Sequence, residues 1–371
     1  MKISMGRCAA ASVFALAAAA ISSPASAQKI EGQYICVFNP GLVAKGKVKE
    51  HANAAARNAG GQLKHTYQNT IRGFAVNASA QGVAKMQANN PRIAFCEQDQ
   101  VMAAVVQGKG KPGGGGTQPA ETTPWGITRV NGGVTGATGR AWVIDTGVDF
   151  THPDLNVNTA LSAVFTRDSS ADDNNGHGSH VAGTIGAIKG NGIGVVGVAP
   201  GVELIAVKVL DRRGSGSNSG VIAGVDYAAA NARSGDVANM SLGGSFSQAL
   251  NDAVIAAAAS GLKFALAAGN ESTSATTKSP ASANGPNIFT ISSFANGDRW
   301  SSFSNYGNPP VDFAEPGSSI YSTYKDGGYA TLSGTSMASP HMAGLLLLGS
   351  IRSGGAVTGD PDGNADTIGI H

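Results

Sequence analysis

From Glu121 onward, the chain alternates strand-like and helix-like segments, and this alternation limits its fold more than any other feature. The strand-like runs cover 140–145, 203–209, 237–241 and 263–267, and the helix-like runs cover 178–187, 219–233, 248–260 and 335–348. Such an alternation is typical of a parallel sheet with helices on both faces. We therefore predict an α/β domain in this part of the chain.

The first 27 residues have the composition of an export signal. Two basic residues precede an apolar run, and residues 25–27 (Ala-Ser-Ala) form a small-residue cleavage pattern. The apolar run is shorter than the roughly 20 residues that a membrane-spanning helix needs, which disfavours a membrane anchor. We expect cleavage before Gln28 and a secreted, extracellular protein.

Residues 28–107 alternate strand-like and Ala-rich helical runs, which predicts a small α+β module. The module has 9 basic and 4 acidic residues, a net charge of +5, whereas residues 121–371 have 13 and 20, a net charge of −7. Opposite charges fit a module that docks on the domain it precedes, but ordinary local composition explains them equally well. Residues 108–120 include four consecutive glycines and predict a flexible linker. No basic nucleic-acid-binding footprint is evident.

The cysteines are confined to the start of the chain. Cys8 lies in the signal, Cys36 and Cys96 lie in strand-like runs of the module, and no cysteine follows. In an oxidising compartment the last two can form a disulfide, and the alternative is a pair of buried thiols. Because no disulfide can stabilise the downstream part, bound calcium is the obvious substitute.

Three distant segments supply the side chains that a nucleophilic serine needs. Asp145 ends an apolar run, which predicts a position at the carboxyl edge of a buried strand. Residues 175–184 open a helix that carries a histidine pair, and Ser336 lies at the start of another predicted helix. A serine hydroxyl requires a neighbouring base, and that base requires a third group to orient it.

The two histidines of the second segment are His177 and His180. Their spacing of three, without a third ligand cluster, disfavours a zinc site. The pattern by itself leaves open which of them is the base. Gly178 leaves room beside His177 for close backbone or substrate approach, whereas His180 stands among apolar residues on the side expected to be packed.

The order Asp, His, Ser in these segments resembles the subtilisin-like serine proteases. The resemblance implies that Ser336 is the nucleophile, His177 the general base and then acid, and Asp145 the group that orients the imidazole. It also implies that the Asn270 side chain and the Ser336 backbone N–H hold the oxyanion. The implied fold is α/β, a three-layer subtilisin-like fold with a mostly parallel sheet and helices on both faces, preceded by a small α+β, ferredoxin-like prodomain.

The resemblance further implies a cleft in which the substrate backbone is held as an added strand. The residues that it assigns to the cleft are Ser215, Gly216, Ser241, Leu242, Gly243, Ala268 and Gly269. The small residues of the first pocket predict a preference for large hydrophobic or aromatic residues before the cut, with Glu271 near the pocket floor. Asn218 stands where relatives often carry an aromatic lid over the fourth pocket, which predicts weak selectivity at that pocket.

Structural calcium is the cofactor that the resemblance implies, and no organic cofactor is expected. The first site would use the side chains of Asp154, Asn191 and Glu121 with the carbonyls of Lys189, Ile193 and Val195. A second site would use Asp312 with the carbonyls of Pro286 and Ile288. Hard oxygen ligands of this kind suit calcium.

Residues 28–107 resemble the inhibitor-type propeptide of these enzymes, which implies that the module assists folding, occupies the substrate edge and is cut away in or after the linker 108–120. The peptidase domain is expected at 121–350. The resemblance ends near residue 348, which leaves 351–371 as an acidic tail, ordered or floppy.

Together these expectations describe a secreted, monomeric serine endopeptidase that is made as a prepro-precursor and forms an acyl-enzyme. Its partners would be protein and peptide substrates and its own propeptide, but neither nucleic acid nor a membrane. The alternative is a catalytically restricted protein of the same fold that binds or inhibits, or that cuts only itself. The presence of all three triad residues and Asn270 disfavours this alternative.

Overall fold

The computed structural model describes residues 28–106 and 118–371. The predicted export signal (1–27) and most of the predicted linker lie outside these ranges. Within the described part of the chain, no helix combines the length and the apolar character that crossing a membrane requires.

Residues 28–106 form a small α+β unit, called here the N-terminal module. Its elements are β1 (Lys29–Phe38), α1 (Val48–Asn58), β2 (Gln62–Tyr67), β3 (Gly73–Asn77), α2 (Ala80–Ala88) and β4 (Ile93–Ala104), with a 3-10 turn at Lys45–Lys47. The strands pair antiparallel in the order β4-β1-β3-β2. Apolar residues of both helices pack with Phe38, Phe74 and Val76 on one face of the sheet. This is the ferredoxin-like arrangement that the sequence predicted.

Residues 118–371 form the C-terminal domain. Its elements are α3 (Trp125–Arg129), β5 (Arg140–Asp145), β6 (Ala163–Val164), α4 (His177–Gly186), β7 (Glu203–Lys208), β8 (Ser215–Ser217), α5 (Asn218–Asn231), β9 (Val237–Met240), β10 (Leu242–Ser245), α6 (Gln248–Ala259), β11 (Lys263–Ala267), β12 (Lys278–Ser279), β13 (Ile288–Ala295), β14 (Arg299–Trp300), β15 (Val311–Pro316), β16 (Ile320–Tyr324), β17 (Gly328–Leu332), α7 (Thr335–Leu348), β18 (Arg352–Ala356) and β19 (Thr367–Ile370). A short 3-10 turn covers Ala275–Thr277.

The centre of this domain is a ten-stranded sheet in the order β18-β19-β15-β13-β11-β9-β5-β7-β6, with β14 paired to β13. Every neighbouring pair from β6 to β19 is parallel. Both faces are buried, because Trp142 and Ile144 of β5 pack in the α5–α6 layer while Ala141 and Val143 pack in the α4–α7 layer. The predicted three-layer α/β fold is confirmed.

The C-terminal segment belongs to this sheet and is not a separate tail. β18 and β19 form a hairpin, and β19 pairs in parallel with β15. Arg129 Nη2 also donates to the carbonyl of Gly354 (2.9 Å), which ties the hairpin to α3. β18 and β19 thus extend the sheet beyond residue 350, where the peptidase domain was predicted to end, and the added strand satisfies the backbone edge that β15 would otherwise expose.

The N-terminal module docks on α5 and α6 through the face of its sheet that its own helices leave uncovered. Ile35, Val37 and Tyr67 join the same apolar cluster as Leu250 and Val254. Polar contacts surround this apolar contact. The interface therefore depends on buried apolar surface. The net charges of the two parts give no information about this contact.

Carboxylates cap the two helices at this interface. Glu97 of β4 accepts from the Gln248 N–H (3.1 Å) at the start of α6, and from the Ser247 hydroxyl. Asp99 accepts from the Ser219 N–H (3.1 Å) at the start of α5. An acidic group at a helix N-terminus satisfies unpaired N–H donors and complements the helix dipole. The net-positive module thus makes these contacts with acidic side chains.

Candidate active site

Asp145 and His177, predicted as partners, form a buried hydrogen-bonded pair. Asp145 is the last residue of β5, and His177 is the first residue of α4. His177 Nδ1 lies 2.7 Å from Asp145 Oδ1, which also accepts from the Thr146 N–H (2.6 Å). Their side chains are 4% and 0% exposed, so water does not compete for this contact. The carboxylate can therefore orient the imidazole and stabilise its positive charge.

The structure also separates the two histidines that the sequence could not distinguish. His180 is fully buried, and its Nε2 lies 3.0 Å from the Ile320 carbonyl. Burial lowers the pKa of His180 to about 3. At Gly178, an added Cβ would lie 1.9 Å from the Gly147 carbonyl oxygen. The close backbone approach expected beside His177 is thus present, and His180 packs in the core.

Asp173, which the sequence reasoning missed, connects the two segments that carry the pair. Its Oδ1 accepts from Thr146 Oγ1 and from the Gly176 N–H, both at 2.9 Å. Its Oδ2 accepts from the hydroxyl of Ser179 (2.7 Å). Because Thr146 follows Asp145 and Ser179 lies in the first turn of α4, one buried carboxylate holds both sides of the pair. An acidic residue four positions before a helix-opening histidine was the available signal.

Ser336 is the second residue of α7 and is fully buried. Helices α4 and α7, which carry His177 and Ser336 near their N-terminal ends, pack against each other. The Ser336 hydroxyl donates to the Ser241 carbonyl (2.8 Å). Among the described residues, His177 Nε2 has no hydrogen-bond partner. In this structure the Ser336 hydroxyl therefore donates to Ser241 and not to His177.

A polar chain fixes the start of α7 against the strand that precedes β10. Ser241 Oγ donates to the Ser336 carbonyl (2.8 Å), and Asn239 Nδ2 donates to Ser241 Oγ (2.8 Å). Ser339 Oγ completes the chain by donating to Asn239 Oδ1 (2.7 Å). These groups are buried, so each bond is costly to lose. The position of Ser336 is consequently set in part by Asn239, which no sequence motif identified.

Asn270 lies beside the first turn of α7. Its Oδ1 accepts from the N–H of Thr335 (2.9 Å) and from the Thr335 hydroxyl (3.0 Å), which fixes the plane of the amide. A Cβ added at Gly334 would lie 2.9 Å from Asn270 Nδ2 and 2.6 Å from the carbonyl oxygen of Val105. Glycine at 334 therefore leaves space in which that carbonyl approaches the Asn270 amide.

The cleft that the sequence predicted is filled by the N-terminal module. The last part of β4 lies antiparallel between β8 and β10, with Met102 opposite Gly216 and Ala103 opposite both Ser215 and Gly243. Ala104 lies opposite Leu242, and its N–H donates to the Gly214 carbonyl (3.0 Å). The predicted cleft residues Ser215, Gly216, Leu242 and Gly243 thus all pair with this strand.

One residue further, Val105 reaches the site itself. Its N–H donates to the Ser241 carbonyl (3.4 Å), the oxygen that also accepts from Ser336. Val105 and Met102 are buried, while Ala103 between them is exposed. A Cβ added at Gly243 would lie 3.2 Å from Val105 Cγ2. The segment 102–105 therefore inserts two apolar side chains into the C-terminal domain, and the Val105 carbonyl lies next to Gly334, two residues before Ser336.

The predicted pocket residues differ in their surroundings. Ala268 is buried, and its carbonyl accepts from Asn305 Nδ2 (2.9 Å). Gly269 has φ of +109°, and an added Cβ would lie 2.2 Å from that same nitrogen, so glycine is required there. Glu271 is paired with Lys278 (3.4 Å), which weakens its predicted attraction for substrate cations. Asn218 is fully buried at the start of α5 and forms no exposed lid.

The first predicted calcium site is a compact group of oxygen-bearing side chains. Asn191 Nδ2 lies 2.7 Å from Asp154 Oδ1, and Glu121 Oε2 accepts from the N–H of Asn191 (3.1 Å). Asp154 is fully buried, and burial raises its pKa. No lysine or arginine of the described residues pairs with it. A buried carboxylate without a cationic partner fits a bound cation, with an amide able to present its oxygen.

The second predicted calcium site has one carboxylate ligand, Asp312. Asp312 Oδ2 accepts from the Thr290 N–H (2.8 Å), and burial together with nearby Asp366 raises the Asp312 pKa to about 6. Across residues 28–106 and 118–371, no cluster of three or more His, Cys, Asp or Glu side chains forms a metal-binding group. Both predicted calcium sites would therefore need carbonyl and amide oxygens in addition to their carboxylates.

Comparisons with known proteins agree with this geometry. The model of the subtilase family matches residues 142–350, which include Asp145, His177 and Ser336. A solved structure described as a cold adapted subtilisin-like serine proteinase superposes with a TM-score of 0.60 at 40% identity, covering 66% of this chain and 96% of that one.

Sequence relatives extend the match. Alkaline serine exoprotease A of Vibrio alginolyticus is 42% identical over 302 residues, which are 77% of this chain. The match spans only 53% of that relative's own length. Subtilisin-like protease 7 of Arthroderma benhamiae is 38% identical over 351 residues, covering 89% of this chain and 85% of the relative. With a matching fold, family model and relatives, the chain belongs to the subtilase family of subtilisin-like serine proteases.

Proposed function

We propose that this protein is a secreted serine endopeptidase that cuts its own N-terminal module from the C-terminal domain and then hydrolyses other proteins and peptides. The observation that carries the proposal is the strand β4, which lies in the cleft as an extended peptide and is followed by Val105, whose carbonyl lies close to Gly334 and to the Asn270 amide. A bound peptide whose carbonyl reaches a nucleophile is a substrate-like arrangement.

In the proposed mechanism, Ser336 Oγ attacks the carbonyl carbon before the cut while His177 Nε2 takes its proton. Asp145, hydrogen-bonded to Nδ1, stabilises the resulting imidazolium. The Ser336 backbone N–H and Asn270 Nδ2 hold the oxyanion. His177 then delivers the proton to the leaving amine, and water hydrolyses the acyl-enzyme by the same route. Asp173 acts as a positioning residue for the Asp145–His177 pair.

The register of β4 changes the expected cleavage point. The sequence suggested a maturation site within or after residues 108–120, whereas the seated carbonyl belongs to Val105. We therefore propose that the first cut falls between Val105 and Val106, and that the N-terminal module (28–106) is the prodomain apart from its last residue. Later trimming of the glycine-rich linker is compatible with the same enzyme.

This proposal predicts a defined product from purified full-length protein. We expect a new N-terminus at Val106, found by mass spectrometry, together with hydrolysis of casein and of a fluorogenic peptide once the module is removed. A Val105→Pro variant should block this cut, because proline has no N–H to donate to Ser241. Absence of peptide and casein hydrolysis from the freed C-terminal domain would favour the binding or inhibitory alternative.

Specificity follows from the two side chains that β4 inserts into the domain. Met102 and Val105 are buried, and Gly243, Ala268 and Gly269 surround the first position with small residues. We propose broad specificity with a preference for hydrophobic residues before the cut, because main-chain pairing ignores side-chain identity. The prodomain occupies these sites as an intramolecular inhibitor. A monomer acting without nucleic acid or membrane partners remains our expectation.

We propose that calcium stabilises the C-terminal domain, held by the side chains of Asp154, Asn191 and Glu121. Calcium supplies positive charge to the buried Asp154 and cross-links the segment before α3 to the loop 189–195. Removal with a chelator should lower the melting temperature by about 5 °C or more, because ligand linkage at saturating calcium is worth about 3 kcal/mol. Differential scanning fluorimetry with and without calcium measures this shift.

The matched variant is Asp154→Asn, which keeps the side-chain shape and removes the charge. It should melt at a lower temperature in calcium and respond less to the chelator. An unchanged melting temperature of the wild-type protein on chelation would exclude both calcium assignments.

A further inference from the structure

The disulfide Cys36–Cys96 lies in the N-terminal module and joins its strand β1 to β4, the strand that fills the cleft. Cys36 belongs to β1 and Cys96 to β4, and the two residues face each other in the antiparallel pair. After Cys96, β4 stays paired with β1 as far as Gln100, and from Val101 it enters the cleft between β8 and β10. The bond therefore fixes the cleft-filling strand to the core of the module.

Most of the contacts that hold the module on the C-terminal domain follow Cys96 within a few residues. Glu97 caps α6, Asp99 caps α5, and Met102 fills an apolar pocket. Polar contacts from the segment 64–70 also hold the module, among them the Asn69 N–H donating to Asp226 (2.7 Å) and the Tyr67 hydroxyl donating to the Ser219 carbonyl (2.9 Å). Occupancy of the cleft thus depends on whether β4 stays attached to a folded module.

The module is small, and small domains bury too little apolar surface to be strongly stable on their own. The bond joins residues separated by 60 positions in the sequence, so it restricts most of the module's unfolded chain. Before the cut, the chain connection also keeps β4 near the cleft. After a cut between Val105 and Val106 that connection is lost, and inhibition persists only while the module remains folded and bound.

We propose that the Cys36–Cys96 disulfide is a redox latch on the proposed peptidase, which keeps the cut prodomain in the cleft under oxidising conditions and releases it on reduction by a thiol. The inference rests on the proposed function of the site. In the releasing step a dithiol breaks the sulfur–sulfur bond: each cysteine sulfur gains one electron and one proton, and the dithiol becomes a cyclic disulfide. Cys36 is buried and Cys96 is partly exposed, so the attack falls on the Cys96 sulfur.

The positions of the cysteines make reduction by a dithiol specific for the N-terminal module. No cysteine follows Cys96, and Cys8 lies in the predicted export signal. A reductant therefore has no disulfide to act on in the C-terminal domain. Any effect of a dithiol on the processed complex must come from the module, and the freed C-terminal domain is the matched control.

The experiment uses wild-type full-length protein that has formed its processed complex under oxidising conditions. Hydrolysis of a fluorogenic peptide is followed with and without dithiothreitol, and alkylation with mass spectrometry counts the free thiols. We expect the lag before full activity to shorten by about tenfold or more when two thiols appear. A disulfide that closes a loop of this length raises the folding equilibrium constant of the module by more than about tenfold. Freed C-terminal domain should be unaffected by the dithiol.

A Cys36→Ser/Cys96→Ser complex should show the short lag without reductant and no response to dithiothreitol. If that variant does not fold, the comparison of the wild-type complex with and without dithiothreitol still tests the proposal, because this complex forms before the reductant is added. An unchanged lag with both thiols free would overturn the latch while leaving the peptidase intact. Absence of peptide hydrolysis even from freed C-terminal domain would instead reject the proposed function.

Discussion

Replacing Ser336 with alanine is expected to lower kcat by about a million-fold, the loss that removal of the nucleophile causes in the related enzyme subtilisin. Ser336 is buried at the start of α7, and its hydroxyl is the group that would form the acyl bond. The same variant should accumulate as full-length precursor, uncut between Val105 and Val106. Peptide hydrolysis by freed domain and mass spectrometry of the precursor measure the two effects.

Two further variants sharpen this result. Ser333→Ala removes a hydroxyl three residues earlier, one that accepts from the Ser319 N–H (2.9 Å), and should retain near-normal kcat. His177→Ala should be about as inactive as Ser336→Ala, and the double variant no worse, because the residues act as a unit. Continued cutting of the Ser336→Ala precursor would mean that another protease performs maturation.

Replacing Asn270 with alanine is expected to reduce kcat by about 100- to 1,000-fold with little change in KM, a magnitude known from subtilisin itself. The reason is geometric, since the amide is fixed by two bonds from Thr335 next to the space that the Val105 carbonyl enters. A donor that acts only on the developing oxyanion changes kcat rather than substrate binding.

The control for Asn270 is the near-isosteric Asn270→Asp. This variant keeps an Oδ1 that accepts from Thr335 but replaces the Nδ2 donor with an oxygen. It should lose as much kcat as the alanine variant while melting at nearly the wild-type temperature. A loss of less than tenfold in both variants would show that Asn270 does not hold the oxyanion.

The sequence predicted the elements of the main sheet closely. The predicted segments 140–145, 263–267 and 335–348 coincide with β5, β11 and α7. Strands buried on both faces are continuous apolar runs, and helices have recognisable caps, so local chemistry marks both. The C-terminal hairpin was not predicted, because β18 contains glycine and polar residues and acquires strand geometry only by pairing with β19.

The active site was predictable in part, for a similar reason. Asp145, His177, Ser336 and Asn270 stand in motifs that resemble a family, whereas Asp173 and Asn239 do not. Their hydrogen-bond partners come from segments far apart in the chain, such as Thr146 for Asp173 and Ser339 for Asn239. The pairing of a buried polar group is a property of the packed structure.

The sequence by itself determined the fold class and the family and predicted the reacting groups, because apolar periodicity and short motifs are local properties of the chain. Only the tertiary structure decided which histidine faces Asp145, which carbonyl after β4 lies next to Gly334, and that Cys36 and Cys96 are joined. Each of these depends on strand register and on contacts between distant residues, where a shift of one residue exchanges the buried and exposed faces. Register is fixed by side-chain packing between segments, and no single segment contains that information.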